Sequence, residues 1–317
     1  MHEKNQTLVN EIVLLGFPNL HNFKILLFSL FLLIYIMTVW ENVLIIVLVS
    51  SSRNLQSPMY FFLQQLSLCD LLGSSNIVPL LLLTVINKGA TISFADCVTQ
   101  LYFLSVSETF ECLLLAVMSY DRYVAICIPL RYTSIISHRV CVTIMLMLWT
   151  IAFGISVMTV NLIRTLQFCD QNTINHFFCD VLPILDLSCS DPSFVQLEVT
   201  VLTIPVVISP FIFIIISYTY IAHAILKIVS NTGRQKTFST CSSHLAVVSI
   251  FYGTLTAIYA APTRNQSQTI SNTLSLFYTV VIPLANPAIY SLRNKDIEQA
   301  LKNCRRQMKI KQDIWLM

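Results

Sequence analysis

Five carboxyl groups stand inside stretches that are otherwise apolar: Glu41, Asp70, Glu108, Glu111 and Asp121. No Lys or Arg lies at the depth of the first four, so each must be protonated, hydrogen-bonded or paired with a cation from outside the chain. Two of them share a stretch with Leu101, Leu104, Ser105, Thr109 and Cys112, at three- and four-residue spacing. On a helix, that spacing puts Glu108 on one face with these residues. A face mixing hydroxyls, a carboxyl and aliphatic groups suits the wall of a small-ligand pocket. It equally suits hydrogen bonding between helices, and for Glu108 both readings stand. Asp70 and Glu111 read as interhelical hydrogen bonding or as a sodium site. No nucleophile is paired with a base, so the pattern is not that of an enzyme. The ten cysteines show no metal-ligand spacing, and no cofactor is expected.

The elements that position these groups follow from composition. Of 317 residues, 55% are hydrophobic and 11% charged, against about 25% charged in ordinary soluble domains. Mean hydropathy is +0.71. Such a chain is solvated mainly by lipid, which excludes soluble enzymes, disordered scaffolds and fibrous proteins. The net charge of +3 offers no basic face for nucleic acid. Seven stretches are long and apolar enough to cross a bilayer: 25–49, 58–86, 97–127, 140–163, 195–229, 238–261 and 270–292. The expected fold is an all-α seven-helix membrane bundle (25–292). Before it comes an N-terminal segment (1–24), and after it a tail (293–317). Polar runs at 51–54 and 231–234 read as breaks, and the prolines within spans as kinks.

With the N-terminus outside, fourteen of the 19 Lys and Arg residues fall on the cytosolic side, so the charge bias predicts an extracellular N-terminus and a cytosolic tail. Asn5 then begins a glycosylation sequon on the outer side. A second sequon, at Asn265, lies in a short loop close to the membrane, which argues against its use. Cys97, Cys169, Cys179 and Cys189 fall outside, where disulfides are permitted; four cysteines allow three pairings. Three of them lie in one long connection, 164–194, which reads as a stapled lid over the mouth of the bundle.

Ordered motifs then carry a family resemblance. Pro58-Met59-Tyr60-Phe61-Phe62-Leu63 precedes Leu66-Ser67 and Asp70. The third span closes on Met118-Ser119-Tyr120-Asp121-Arg122-Tyr123-Val124-Ala125-Ile126-Cys127. Ser217-Tyr218 lies in the fifth span, and the run Lys236 to Leu245 and Phe251-Tyr252-Gly253-Thr254 in the sixth. The run Asn286 to Lys295, which opens Asn286-Pro287-Ala288-Ile289-Tyr290, ends the seventh. Together they resemble vertebrate odorant receptors, a branch of the rhodopsin-like G-protein-coupled receptors, over essentially the whole chain. The short third outer loop is more like the tetrapod type.

The resemblance implies a small-molecule odorant ligand, a heterotrimeric stimulatory G protein raising cyclic AMP, and a place in the plasma membrane of olfactory cilia. It implies that Asp121 restrains Arg122 at rest, with Tyr123 in the same motif, and that activation turns Arg122 toward Tyr218. His244, Tyr252, Asn286 and Tyr290 would take part in that switch. Disulfides Cys97–Cys179 and Cys169–Cys189 are implied, as is a polar core of Asn42, Asp70, Glu111 and Asn286. The expected pocket set adds Leu202, Thr203 and Val206 on the fifth span, Leu255, Thr256 and Tyr259 on the sixth, and Leu276 and Thr279 on the seventh. On the third span it holds Leu104, Ser105, Glu108, Thr109 and Cys112. This set is mainly apolar, which suits lipophilic ligands.

Two positions depart from the family pattern. Trp40-Glu41 precedes Asn42 where a Gly is usual, which removes a small packing residue and places stability or expression in question. Ala285 stands where Leu is usual. The tail reads as an amphipathic helix on membrane lipid, with Ile297, Leu301, Cys304 and Met308 on one face among Lys and Arg residues; palmitoylation of Cys304 rests on its position alone. Internal repeats and paired broken helices would mark a transporter, charge rings or a filter loop a channel; neither pattern is present. The rival reading is a receptor for an endogenous small molecule, with Glu108 holding an amine. Against it, Leu104 occupies the position where amine receptors carry their Asp.

Overall fold

The computed structural model describes residues 10–17, 22–169, 172–228, 230–259, 268–292 and 296–304. Seven helices long and apolar enough to cross a membrane form a bundle: Lys24–Ser51, Pro58–Asn87, Phe94–Cys127, His138–Ile163, Ser193–Leu226, Asn231–Tyr259 and Gln268–Leu292. The chain is a multi-pass membrane protein. The third span is the axis: 61% of its apolar window is buried, against 11% for the fifth.

Local chemistry sets the helix ends. Pro58 opens the second span at a position whose N–H has no intrahelical partner. That helix ends on Lys88 in the left-handed conformation (φ 62°). Ser93 caps the third span, its Oγ accepting from the Asp96 amide at 3.0 Å. The polar run at 231–234 does not break the chain as the sequence predicts; it forms the first turn of the sixth helix. The interruption lies just before it, after Leu226.

Two spans widen into π-helical turns, and one cause accounts for both. Pro210 and Pro283 have no N–H to give the carbonyl four residues earlier. The residue before each donates five residues back instead, Ser209 to Ile204 and Ile282 to Phe277. The turns Ile204–Ile208 and Phe277–Val281 result, a geometry frequent at functional sites.

The N-terminal end of the bundle carries a roof that composition did not foretell. Strand β1 (Glu11–Leu14) lies between β2 (Ala90–Ser93) and β3 (Thr173–Ile174), antiparallel to the former and parallel to the latter. Ile12 and Leu14 are almost wholly buried in a cluster with Cys97, Leu101, Cys179, Ile184 and Val195. Burial of each such side chain is worth about 1.5–3 kcal/mol, comparable with the cost of ordering four residues at about 1–2 kcal/mol apiece. The ladder bonds and the continuing Leu15 N–H to Ile174 O (3.0 Å) and Gly16 N–H to His176 O (3.0 Å) contacts tip that balance. Disulfides Cys97–Cys179 and Cys169–Cys189 staple the long connection to the third span and to itself.

Candidate functional site

The polar core forms midway along the bundle. The Asn286 amide donates to both oxygens of Asp70 (3.2 and 3.3 Å) and to Glu111 Oε1 (3.2 Å). All three residues are buried. Two carboxyls thus share one amide, and a proton or small cation must complete the set. Asn42, expected in this group, does not join it: its amide is spent on the Thr38 and Pro283 carbonyls (2.9 and 3.1 Å), tying the first span to the seventh.

A cavity of about 20 Å³ adjoins this core, lined by residues including Asp70, Glu111, Leu104, Tyr278 and Thr279. It has room for one water or ion. Of the expected pocket set, Leu104 and Thr279 line it. Glu108, one turn from Leu104, is half-buried; in the long connection, Asp180 is a further buried carboxyl. Asp180 follows bridged Cys179, is buried, and accepts from the Val181 amide at 2.7 Å. Burial lifts its carboxyl to about 6. His176, buried in the same connection, is lowered to about 4 by burial. Its Nδ1 accepts from the Phe177 amide (3.0 Å), which leaves Nε2–H to donate to Ser275 Oγ (3.3 Å).

The rest of the expected pocket set is dispersed. Ser105 lies 3.0 Å from the Ser156 hydroxyl on the fourth span, which makes it interhelical contact. Thr109 and Cys112 are buried, and the Cys112 carbonyl accepts from Tyr252 at 3.1 Å. Leu202, Thr203, Val206 and Leu276 are half-buried and Leu255 is buried. Thr256 is exposed, its hydroxyl bonded to the Tyr252 carbonyl at 2.7 Å. The side chain of Tyr259 lies outside the described residues, as do Asn5, Asn265 and the tail beyond Cys304.

At the opposite end, the Arg122 guanidinium is paired with Asp121. The other carboxylate oxygen accepts from the Tyr132 hydroxyl at 2.7 Å, a partner that sequence reading missed. Tyr218 is engaged elsewhere, its hydroxyl 2.8 Å from His244 Nδ1. Asp121, Arg122, His244 and Tyr290 line a cavity of about 10 Å³. The Tyr290 hydroxyl is buried without a hydrogen-bond partner among the described residues. Arg122 is thus held by Asp121 and Tyr218 by His244.

The sequence model of one family, described as olfactory receptor, matches residues 31–307. The chain belongs to the olfactory receptor family. It is 44% identical to human olfactory receptor 11L1 over 307 residues, covering 97% of this receptor and 95% of that one. With rat olfactory receptor 1500 it shares 45% over 301 residues, 95% and 96% of the two chains. With the canine olfactory receptor-like protein OLF1 it shares 44% over 298 residues, 94% and 96%. This is a receptor family for small odorous molecules that signals through G proteins, and not an enzyme family.

Two carboxyls in the receptor stand apart from these networks. Glu198, inside the fifth apolar stretch and overlooked among the membrane acids, accepts from Thr159 at 3.0 Å, its second oxygen buried without a hydrogen-bond partner among the described residues. Glu41 likewise buries one oxygen with no hydrogen-bond partner among the described residues. Neighbouring Trp40 is 69% exposed, toward lipid.

Proposed function

We propose that this receptor binds small, mostly apolar odorants within the bundle and activates a stimulatory, olfactory-type G protein to raise cyclic AMP. The observation that carries the reading is the Arg122 end: an ion pair held by Tyr132, with Tyr218 parked on His244. Arg122 released from Asp121 has Tyr218 to turn to, and outward motion of the sixth span would free that tyrosine from His244. Leu104, Glu108, Leu255 and Thr279 form the ligand-facing group in this reading. Asp70, Glu111 and Asn286 act beneath it as a polar hinge that accepts a proton or a sodium ion.

The receptor would sit in the plasma membrane of olfactory cilia, its N-terminus outside and glycosylated at Asn5. Its tail helix would rest on anionic lipid at the cytosolic face. One observation favours a second reading, in which the ligand is an amine: Glu108, within the third span, forms no ion pair among the described residues. A cyclic-AMP assay in transfected cells against a broad odorant panel, run beside Arg122→Ala at matched surface level, tests the proposal. A full response from the variant excludes it.

A further inference from the structure

Gln100, buried on the third span one turn after bridged Cys97, uses both ends of its side-chain amide. Its Nε2 donates to the Asn76 carbonyl on the second span at 3.0 Å, and its Oε1 accepts from the backbone amide of Cys179 at 3.0 Å. The Asn76 side chain returns a bond to the Gln100 carbonyl at 2.8 Å. Cys179 is therefore held by the third span twice, through its sulfur and through its N–H. Chain entropy alone would pair the outer cysteines differently. Closing a loop becomes less favourable as about the three-halves power of its length. Cys169 and Cys189 each lie ten residues from Cys179, whereas Cys97 lies 82 away. Either local bridge is thus favoured over the observed one by about 20-fold.

We propose that Gln100 is a positioning residue for disulfide pairing: by capturing the Cys179 amide, it sets that cysteine's sulfur against Cys97 before either local bridge closes. Strand β1 holds the connection as far as His176, whose carbonyl accepts from Gly16, and Gln100 makes its contact at Cys179 itself. Both precede Cys179 in the chain, so the capture site exists when Cys179 emerges; Ser275, which holds His176 from the seventh span, is not yet made. The step is a thiol–disulfide exchange with a dithiol–disulfide oxidant of the secretory pathway. The Cys179 thiolate opens the oxidant's disulfide and forms a mixed disulfide. The Cys97 thiolate then attacks the Cys179 sulfur, and the oxidant leaves reduced, its two sulfurs as thiols carrying the two protons. A buried amide deprived of its acceptor is disfavoured by about 5- to 150-fold, a range that spans the entropic preference for the local bridges.

The test maps the bridges of Gln100→Leu, Gln100→Glu and Asn76→Leu in the full-length receptor. Cells are quenched with an alkylating agent, and non-reduced peptides are taken from the whole receptor pool, so a variant retained inside the cell still reports. In Gln100→Leu, the ratio of bridges joining Cys179 to Cys169 or Cys189, over Cys97–Cys179, is expected to rise at least about fivefold above the parent. Gln100→Glu keeps an oxygen for the Cys179 amide and should hold the parent ratio. Asn76→Leu loosens the second span from the third but leaves that oxygen in place, and should hold the ratio too. A smaller rise in Gln100→Leu overturns the inference. So does a comparable rise in Asn76→Leu, which would assign mispairing to loosened packing, or in Gln100→Glu, which would show that the acceptor is not what selects the bridge.

Discussion

The Asn272 side chain donates to the carbonyl of Gly16, 256 residues earlier in the chain, at 3.2 Å. The bond joins the N-terminal strap to the seventh span one turn above Ser275, which itself holds His176. Gly16 has φ +64°, and a Cβ there would come within 3.2 Å of the Thr84 Cβ. Gly16→Ala is therefore expected to cost about 1–2 kcal/mol from backbone strain, more if Thr84 cannot yield. Thermal unfolding of the purified receptor measures it. A melting temperature equal to that of the parent would show that the strap contributes nothing.

Arg122→Ala should abolish agonist-driven cyclic AMP and leave surface level largely intact. Tyr132→Phe should act in the opposite direction and raise the ligand-free signal, because it removes a donor that holds Asp121 in its resting pair. Paired assays of the two variants at equal surface level check both signs.

Losing either of Cys97 and Cys179 should harm maturation more than losing either of Cys169 and Cys189. The two bridges close segments of 82 and 20 residues, for which chain entropy alone gives about 4.5 and about 3.3 kcal/mol. Glycan maturation and surface staining rank the four Cys→Ser variants, and peptide mapping without reduction checks the pairing.

Asp180 and His176 make opposite contributions to pH dependence. The Asp180 carboxyl, at about 6 in the fold against about 3.9 when unfolded, makes the folded state bind more protons across that window. Stability therefore falls as pH rises from about 4 to 6. His176, at about 4 in the fold against about 6.5 unfolded, makes the unfolded state bind more, so stability rises over nearly the same window. The parent should show a nearly flat melting temperature between pH 4.5 and 7. Asp180→Asn should gain a rise with pH, and His176→Gln a fall. Parallel profiles for all three proteins would contradict both assignments.

Glu41→Gly should raise surface expression. The substitution removes a buried carboxyl oxygen without a hydrogen-bond partner among the described residues, a feature that costs about 1–3 kcal/mol, which exceeds the roughly 1 kcal/mol penalty for glycine within a helix. Flow cytometry of tagged receptors gives the answer, and reduced surface signal would mean that the carboxyl has a partner in the membrane.

The seven spans were legible because lipid demands long apolar runs, and the Asp121-Arg122 pair because its motif is contiguous. Glu111 and Asn286 were legible as members of one polar core, but Asn42 was misplaced, since nothing in sequence says that its amide goes to Pro283. Tyr278 was skipped for a definite reason: a strict 3.6-residue period puts Leu276 and Thr279 inward, and only the missing N–H of Pro283 shifts the register. Counting positions along the sixth span could not show that Thr256 is exposed, with its hydroxyl bonded to the Tyr252 carbonyl. The roof was least legible of all. Strand β1 has four residues, and its partners lie about 80 and 160 positions away.

Those separations also order the receptor's assembly. Ribosomes deliver β1 first, β2 after two spans have been made, β3 after four, and Asn272 only with the seventh. The cluster that covers Ile12 and Leu14 is complete once Val195 of the fifth span has been made, while the Asn272 bond to Gly16 waits for the seventh. The Asn272 bond is accordingly the last of the strap's contacts for which the chain supplies a partner. The strand is therefore hidden from solvent in two stages, its side chains by the first five spans and its trailing backbone at Gly16 by the seventh.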